Sequence, residues 1–195
     1  WMSKTLFTPV PRTVRELIME VETGKLDLPD LQRGYVWRAA KVRDLLDSML
    51  KGYPIGYLMI WEAADDTEKS KTIGIDSKPF GTPKSLVIDG QQRLTSLYAV
   101  MCGKKIVDEK FNEKQIIISF NPLTRTFAVG DNATKRGAEW IYDISEVFRN
   151  ESKSFAYISE KVQTISDARE KTGGTLTDDE KQRIQQNIMD LLSLS

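Results

Sequence analysis

The stretch SLVIDGQQRLTSLYAV (85–100) changes its periodicity in mid-course, and that change constrains the fold more than any other part of the chain. Leu86, Val87 and Ile88 make a short apolar run of the kind that forms a buried strand. Asp89-Gly90 ends it, and Leu94, Leu97, Tyr98 and Met101 then recur at helical spacing. Between strand and helix sits the polar triplet Gln91-Gln92-Arg93. A plain connection there needs only a turn residue and a cap.

The flanking segments are read from the same signals. Thr13 and Glu16 form a capping box ahead of a helix whose apolar face is Val14, Leu17, Ile18 and Val21, with Gly24 as its end. Pro29 favours an extended path for Asp27-Leu28. A second helix is expected through AAKVRDLLDSMLKG, a strand through IGYLMIWE (55–62), and a long irregular segment from Ala63 to Lys84. KQIIISFNP and RTFAVG read as a hairpin about Pro122-Leu123, and IYDISEVFRN as a short helix. The chain divides into a region 1–150 and a helical region 151–195, broken at Gly173-Gly174 and restarted by Thr177 and Glu180. The last apolar face, Ile184, Ile188, Leu191 and Leu192, runs on with no stop signal, as if the chain were cut inside a helix. Left exposed, that face predicts self-association.

Composition excludes several chemistries. The 195 residues contain no histidine, which removes Ser-His and Cys-His catalysis, HExxH metalloproteases and His-dependent nucleases from this chain. A single cysteine, Cys102, allows neither an intramolecular disulfide nor a multi-cysteine zinc site, and fits a cytoplasmic location. With 28 basic and 28 acidic residues there is no global positive field for nucleic acid. Arg33, Arg38, Lys41 and Arg43 nevertheless form a local basic run without an intervening acid. No apolar stretch is long enough to span a membrane.

At the turn, Gly90 allows a tight bend and the close approach of a ligand. The first amides of the following helix form an anion site. Arg93 adds a planar donor fork suited to phosphate oxygens, and Asp89 is placed to hold a metal ion or accept a proton. Gln91 and Gln92 can bond a phosphate, a base or a water without adding charge. The plainer alternative pairs Asp89 with Arg93 and makes Gln91 a helix cap. A second Gln-Arg pair, Gln32-Arg33, precedes Tyr35 and Trp37, which are either stacking surfaces or core anchors. Neither GxxxxGK[ST] nor GxGxxG occurs, so a P-loop or Rossmann site is not supported.

LPDLQRGYVWRAAKVRDLLDSML, the IGYLMIWE strand and LVIDGQQRLTSLYAV together resemble the N-terminal domain of GmrSD-type restriction endonucleases, modification-dependent bacterial anti-phage enzymes. The recognisable blocks fall between about Val14 and Val129. The resemblance implies an α/β (α+β) fold with a ParB/sulfiredoxin-like core, a small mixed sheet with packed helices and a helical C-terminal extension. It implies binding and hydrolysis of a nucleoside triphosphate with Mg²⁺, coupled to restriction. Carried over, Asp89, Gly90, Gln91, Gln92 and Arg93 fall on the DGQQR motif, and Gln32, Arg33, Tyr35 and Trp37 on the upstream one. Asp89, Gln91 and Gln92 are then the expected catalytic residues, with Asp89 on Mg²⁺. Gln32, Arg33, Gly90 and Arg93 hold phosphate, and Tyr35 and Trp37 stack. Expected partners are modified DNA and a C-terminal nuclease domain or partner subunit. The chain departs from the family in lacking histidine, and in placing Pro54-Ile55-Gly56 where relatives often carry an aromatic run before Gly. The rival expectation is a non-catalytic DNA-binding sensor; a third is a helical interaction module made by 151–195.

Overall fold

A computed structural model describes residues 7–28, 35–62, 85–108 and 110–195. The expected irregular segment 63–84 and the Gln32-Arg33 pair lie outside the described residues. The fold is mixed α and β. Helix α1 (Val14–Glu22) starts at the expected capping box: Thr13 Oγ1 accepts from the Glu16 amide at 3.1 Å and Glu16 Oε2 from the Thr13 amide at 2.8 Å. Strand β1 (Leu26–Asp27) follows, then α2 (Ala39–Leu50), which buries Val42, Leu45, Leu46 and Leu50. Strand β2 is confined to Met59–Glu62, shorter than the run 55–62 that the apolar pattern suggests. Gly56 lies at φ +89°, a left-handed conformation that breaks an extended strand.

Strand β3 (Ser85–Asp89) is the centre of a three-stranded sheet ordered β1-β3-β2, parallel to β1 and antiparallel to β2. Helix α3 (Gln91–Cys102) leaves its carboxyl end and stops at Gly103, φ +66°. Strands β4 (Lys105–Val107) and β5 (Glu113–Gln115) pair antiparallel; the sequence pattern did not suggest β4, and it merged β5 with the next strand. The expected hairpin is β6 (Ile118–Asn121) with β7 (Thr126–Val129), in register from Ile118↔Val129 to Asn121↔Thr126. Short helices α4 (Asn132–Arg136) and α5 (Ser145–Arg149) lead to α6 (Ser154–Lys171) and α7 (Asp178–Leu192). None of the described helices is long and apolar enough to cross a membrane.

Two apolar clusters hold these elements. The smaller one, Leu17, Leu26, Val87 and Leu94, packs α1 and α3 beneath the three-stranded sheet. The larger joins α2, the far part of α3, the β6–β7 hairpin and α5 to α7, and its fully buried members include Leu46, Ile118, Phe120, Ile184, Ile188 and Leu191. The apolar face Ile184, Ile188 and Leu191 of α7 is therefore buried within the chain rather than exposed. Helices α5 and α6 pack against α7, and the hairpin turn is tied to it: Asn187 Nδ2 donates to the Pro122 carbonyl at 2.7 Å and Arg125 pairs with Asp190 at 2.9 Å.

Because Ile188 has no exposed surface, Ile188→Ala should lower the unfolding free energy by about 2–5 kcal/mol through lost transfer energy and a residual cavity. Urea unfolding followed by circular dichroism measures this. A loss below about 1 kcal/mol would show that α7 contributes little to the common core.

Candidate functional site

The site is built where β3 hands the chain to α3. Gly90 forms the joint at φ +86°, which an L side chain rarely adopts. A Cβ there would lie 2.3 Å from Leu58 Cδ2, so any other residue would have to displace the end of that side chain as well as strain the backbone. The first helical bond of α3 runs from the Leu94 amide to the Gly90 carbonyl. The preceding amides of Gln91, Gln92 and Arg93 have no acceptor among the described residues. Three adjacent N–H groups at the positive end of a helix are a place for an anion.

The side chains of the triplet each hold a different segment. Gln91 Nε2 donates to the Val87 carbonyl at 2.7 Å, tying the helix to its own strand. Gln92 Oε1 accepts from the Val36 amide at 3.1 Å and so draws the upstream motif to the turn. Arg93 reaches across to the turn ahead of β2, donating through Nη1 to the Ile55 carbonyl at 2.6 Å and through Nη2 to the Tyr57 carbonyl at 2.7 Å. Its side chain is 19% exposed, whereas that of Asp89, whose carboxylate lies 3.7 Å away, is 75% exposed. The Asp89–Arg93 pair weighed from the spacing thus exists, but the two carbonyls are the closer partners. Asp89 projects outward, and no group of three or more carboxylate, thiol or imidazole side chains suited to a metal ion occurs among the described residues.

The upstream aromatics take different positions. Tyr35 is only 4% exposed and belongs to the larger core. Its hydroxyl meets Ser96 Oγ at 2.8 Å, and Ser96 donates onward to the Gln92 carbonyl at 2.6 Å. Burial raises the Tyr35 phenol above its ordinary pKa, with the Ser96 bond pulling the other way. Trp37 is half-buried, with Lys41 Nζ 4.1 Å from its ring centroid. Val36, Trp37, Arg38, Ala40, Lys41 and Asp44 line a shallow, open depression of about 470 Å³ that borders the turn at Val36. The structure thus brings Asp89, Gly90, Gln91, Gln92 and Arg93 together and joins Val36 and Tyr35 to them through Gln92, with Trp37 next along the chain.

A family model described as "GmrSD restriction endonuclease, N-terminal domain" matches residues 14–194. The chain belongs to this family. Membership supports a role in a restriction system. The chain is also 35% identical over 94 residues to the uncharacterized protein MJ0686 of Methanocaldococcus jannaschii, a match covering 45% of this chain and 16% of that protein's length.

In this GmrSD N-terminal domain, reasoning from the sequence missed the residues that receive the triplet: the Val36 amide, the Ile55 and Tyr57 carbonyls, Leu58 and Ser96. One signal was present. Pro54-Ile55-Gly56 stood out as a departure from relatives, and Gly56 proves to lie against the Arg93 guanidinium, where a Cβ would come within 2.5 Å of Nη1.

Gly90 and Gly52 both have positive φ, but a Cβ on Gly52 would meet nothing within 4 Å. Gly52→Ala should cost about 1 kcal/mol for conformation alone, and Gly90→Ala about 1–3 kcal/mol more, because Leu58 must also move. Paired urea titrations give the difference. Equal costs would mean that the close packing of Leu58 on the turn contributes nothing.

Proposed function

We propose that this domain binds a nucleoside triphosphate at the Asp89–Arg93 turn and hydrolyses it, and that the cycle regulates a modification-dependent restriction protein in anti-phage defence. The reading rests on one observation: the amides of Gln91, Gln92 and Arg93, without acceptors among the described residues, at the start of a 12-residue helix, flanked by a guanidinium and an exposed carboxylate. Phosphate oxygens accept from these amides, and the positive helix end favours their charge. Arg93 places a full charge beside the turn, on a fork that two neutral carbonyls occupy in the free protein.

The glutamines divide the remaining work by which half of each amide is already occupied. Gln91 uses its NH₂ on Val87, so Oε1 is free to accept from a water and aim it at the terminal phosphorus. Gln92 uses Oε1 on Val36, so its NH₂ is free to donate to a phosphate oxygen. Asp89 would hold Mg²⁺, an ion commonly bound by one carboxylate together with phosphate oxygens and waters. When bound, that ion supplies neutralisation of charge developing on the transferred phosphoryl group. Gln32 and Arg33 complete the phosphate site in this reading, and Trp37 offers a ring to the base, with Tyr35 bracing the turn from the core. A nuclease domain or partner subunit, modified DNA and a second copy of the chain are the partners it entails, in the cytoplasm.

A second reading, a DNA-binding sensor without catalysis, is favoured by Arg38 and Lys41 beside Trp37, neither cation having an ion pair among the described residues. It calls for binding that weakens steeply with salt. The absence of net charge weighs against strong binding of that kind.

Isothermal titration with each NTP and Mg²⁺ should show saturable binding. Asp89→Ala should lower turnover by roughly 10²-fold or more while changing affinity much less. Equal losses would assign Asp89 to binding, and absence of saturable binding by every NTP would sink the hydrolase reading.

A further inference from the structure

The turn that connects α2 to β2 is held in an unusual way. Tyr53 is anchored by its amide on the Ser48 carbonyl, and β2 begins at Met59. Between them, among the described residues, the two bonds from Arg93 are the only hydrogen bonds to the backbone of residues 54–58. The side chains add uneven support. Ile55 and Leu58 pack inward, while Tyr57 is 91% exposed. The guanidinium lies between Gly56 and Gly90, close enough that a Cβ on either would come within 2.5 Å or 3.1 Å of it. No side chain on either glycine fixes its position.

From this arrangement we infer that the Ile55–Tyr57 turn is a strap that Arg93 fastens in the free protein and releases when a polyphosphate occupies the α3 turn. The inference rests on the phosphate site proposed above. Arg93 holds two neutral carbonyls, and hydrogen bonds in which both partners are charged are stronger than those to neutral acceptors. A phosphate seated on the amides of Gln91 to Arg93 brings such acceptors beside the same guanidinium. The exchange gives up the Ile55 and Tyr57 carbonyls, which turn to water. Occupancy of the site is thereby converted into freedom of the segment leading into the edge strand β2. The polyphosphate and the strap compete for one side chain, so each weakens the hold of the other.

Chymotrypsin reads this at the bond concerned, since the Tyr57 carbonyl that Arg93 grips belongs to the Tyr57–Leu58 peptide. Cleavage after Phe111, which is 90% exposed, serves as the internal reference. Inorganic triphosphate with Mg²⁺, its binding verified by calorimetry on the same sample, should accelerate cutting at Tyr57 relative to Phe111 by about tenfold, the scale of one lost charged hydrogen bond. Arg93→Ala should be cut at the fast rate without triphosphate and respond no further. If triphosphate binds and the ratio stays level or falls, the strap is wrong and the phosphate site stands. If neither triphosphate nor any NTP binds, the phosphate site is wrong and the strap falls with it. The ratio in the unmodified protein decides the matter even where Arg93→Ala does not fold.

Discussion

An arginine side chain mostly withdrawn from water needs acceptors in fixed places, and Arg93 finds them in two backbone carbonyls at 2.6 and 2.7 Å. Carbonyls can approach this closely only because glycine stands on each side of the planar group, Gly56 on the strap and Gly90 at the joint. The positions of three elements follow from that contact. Strand β2 starts at Met59 because the preceding turn is committed to Arg93. Leu58 comes to rest on Gly90, and α3 must leave β3 at the angle that keeps its first turn against the strap. The Asp89 carboxylate, the charge nearest by sequence, is left outside and facing solvent.

That first turn is held steady by what lies behind it. Helix α3 connects the two apolar clusters, contributing Leu94 to the smaller and Leu97, Ala99, Val100 and Met101 to the larger. Each is nearly or fully buried, so the helix cannot slide without opening both. Tyr35 reinforces it through Ser96 to the Gln92 carbonyl. A helix packed in this way presents its first amides, which have no acceptor among the described residues, from a rigid base. Fixed dipoles of this kind need little reorganisation to meet a charge, and such preorganisation is what gives them their value at a binding or reacting site.

The parts legible from the sequence were those whose causes lie within a few residues of one another. The capping boxes at Thr13 and Thr177, the strand–glycine–helix joint at 85–102 and the 118–129 hairpin each rest on local patterning. Strands β4 and β5 carry a single buried side chain, Ile106, so period-two alternation gives no signal there. The turn before β2 was hidden for another reason: its conformation depends on an arginine 38 positions downstream. The apolar face of α7 was read correctly as a face, but α5 and the Pro122 turn that meet it, unlike its neighbour α6, are remote in sequence. Within the site, the sequence located the DGQQR turn, yet side-chain type could not say which group each residue holds. Gln and Arg bond a neighbouring backbone as readily as a ligand.

This double use changes how the motif is understood. Gln91, Gln92 and Arg93 each spend part of their hydrogen-bonding capacity on a different stretch of backbone: Val87, Val36, and Ile55 with Tyr57. What they leave free differs in kind, an acceptor on Gln91, donors on Gln92, and charge with spare donors on Arg93. Two consecutive glutamines are therefore not redundant, because the strand fixes one amide by its NH₂ and the upstream segment fixes the other by its oxygen. Glutamate at 91 would lose the donor that reaches Val87; at 92 it would keep the acceptor for Val36 but lose the free donors and set a negative charge among the amides. Neutral amides in this order hold the surrounding chain while leaving the positive field of the helix end uncancelled. A carboxylate in that first turn would cancel part of this field, and among residues 90 to 93 there is none.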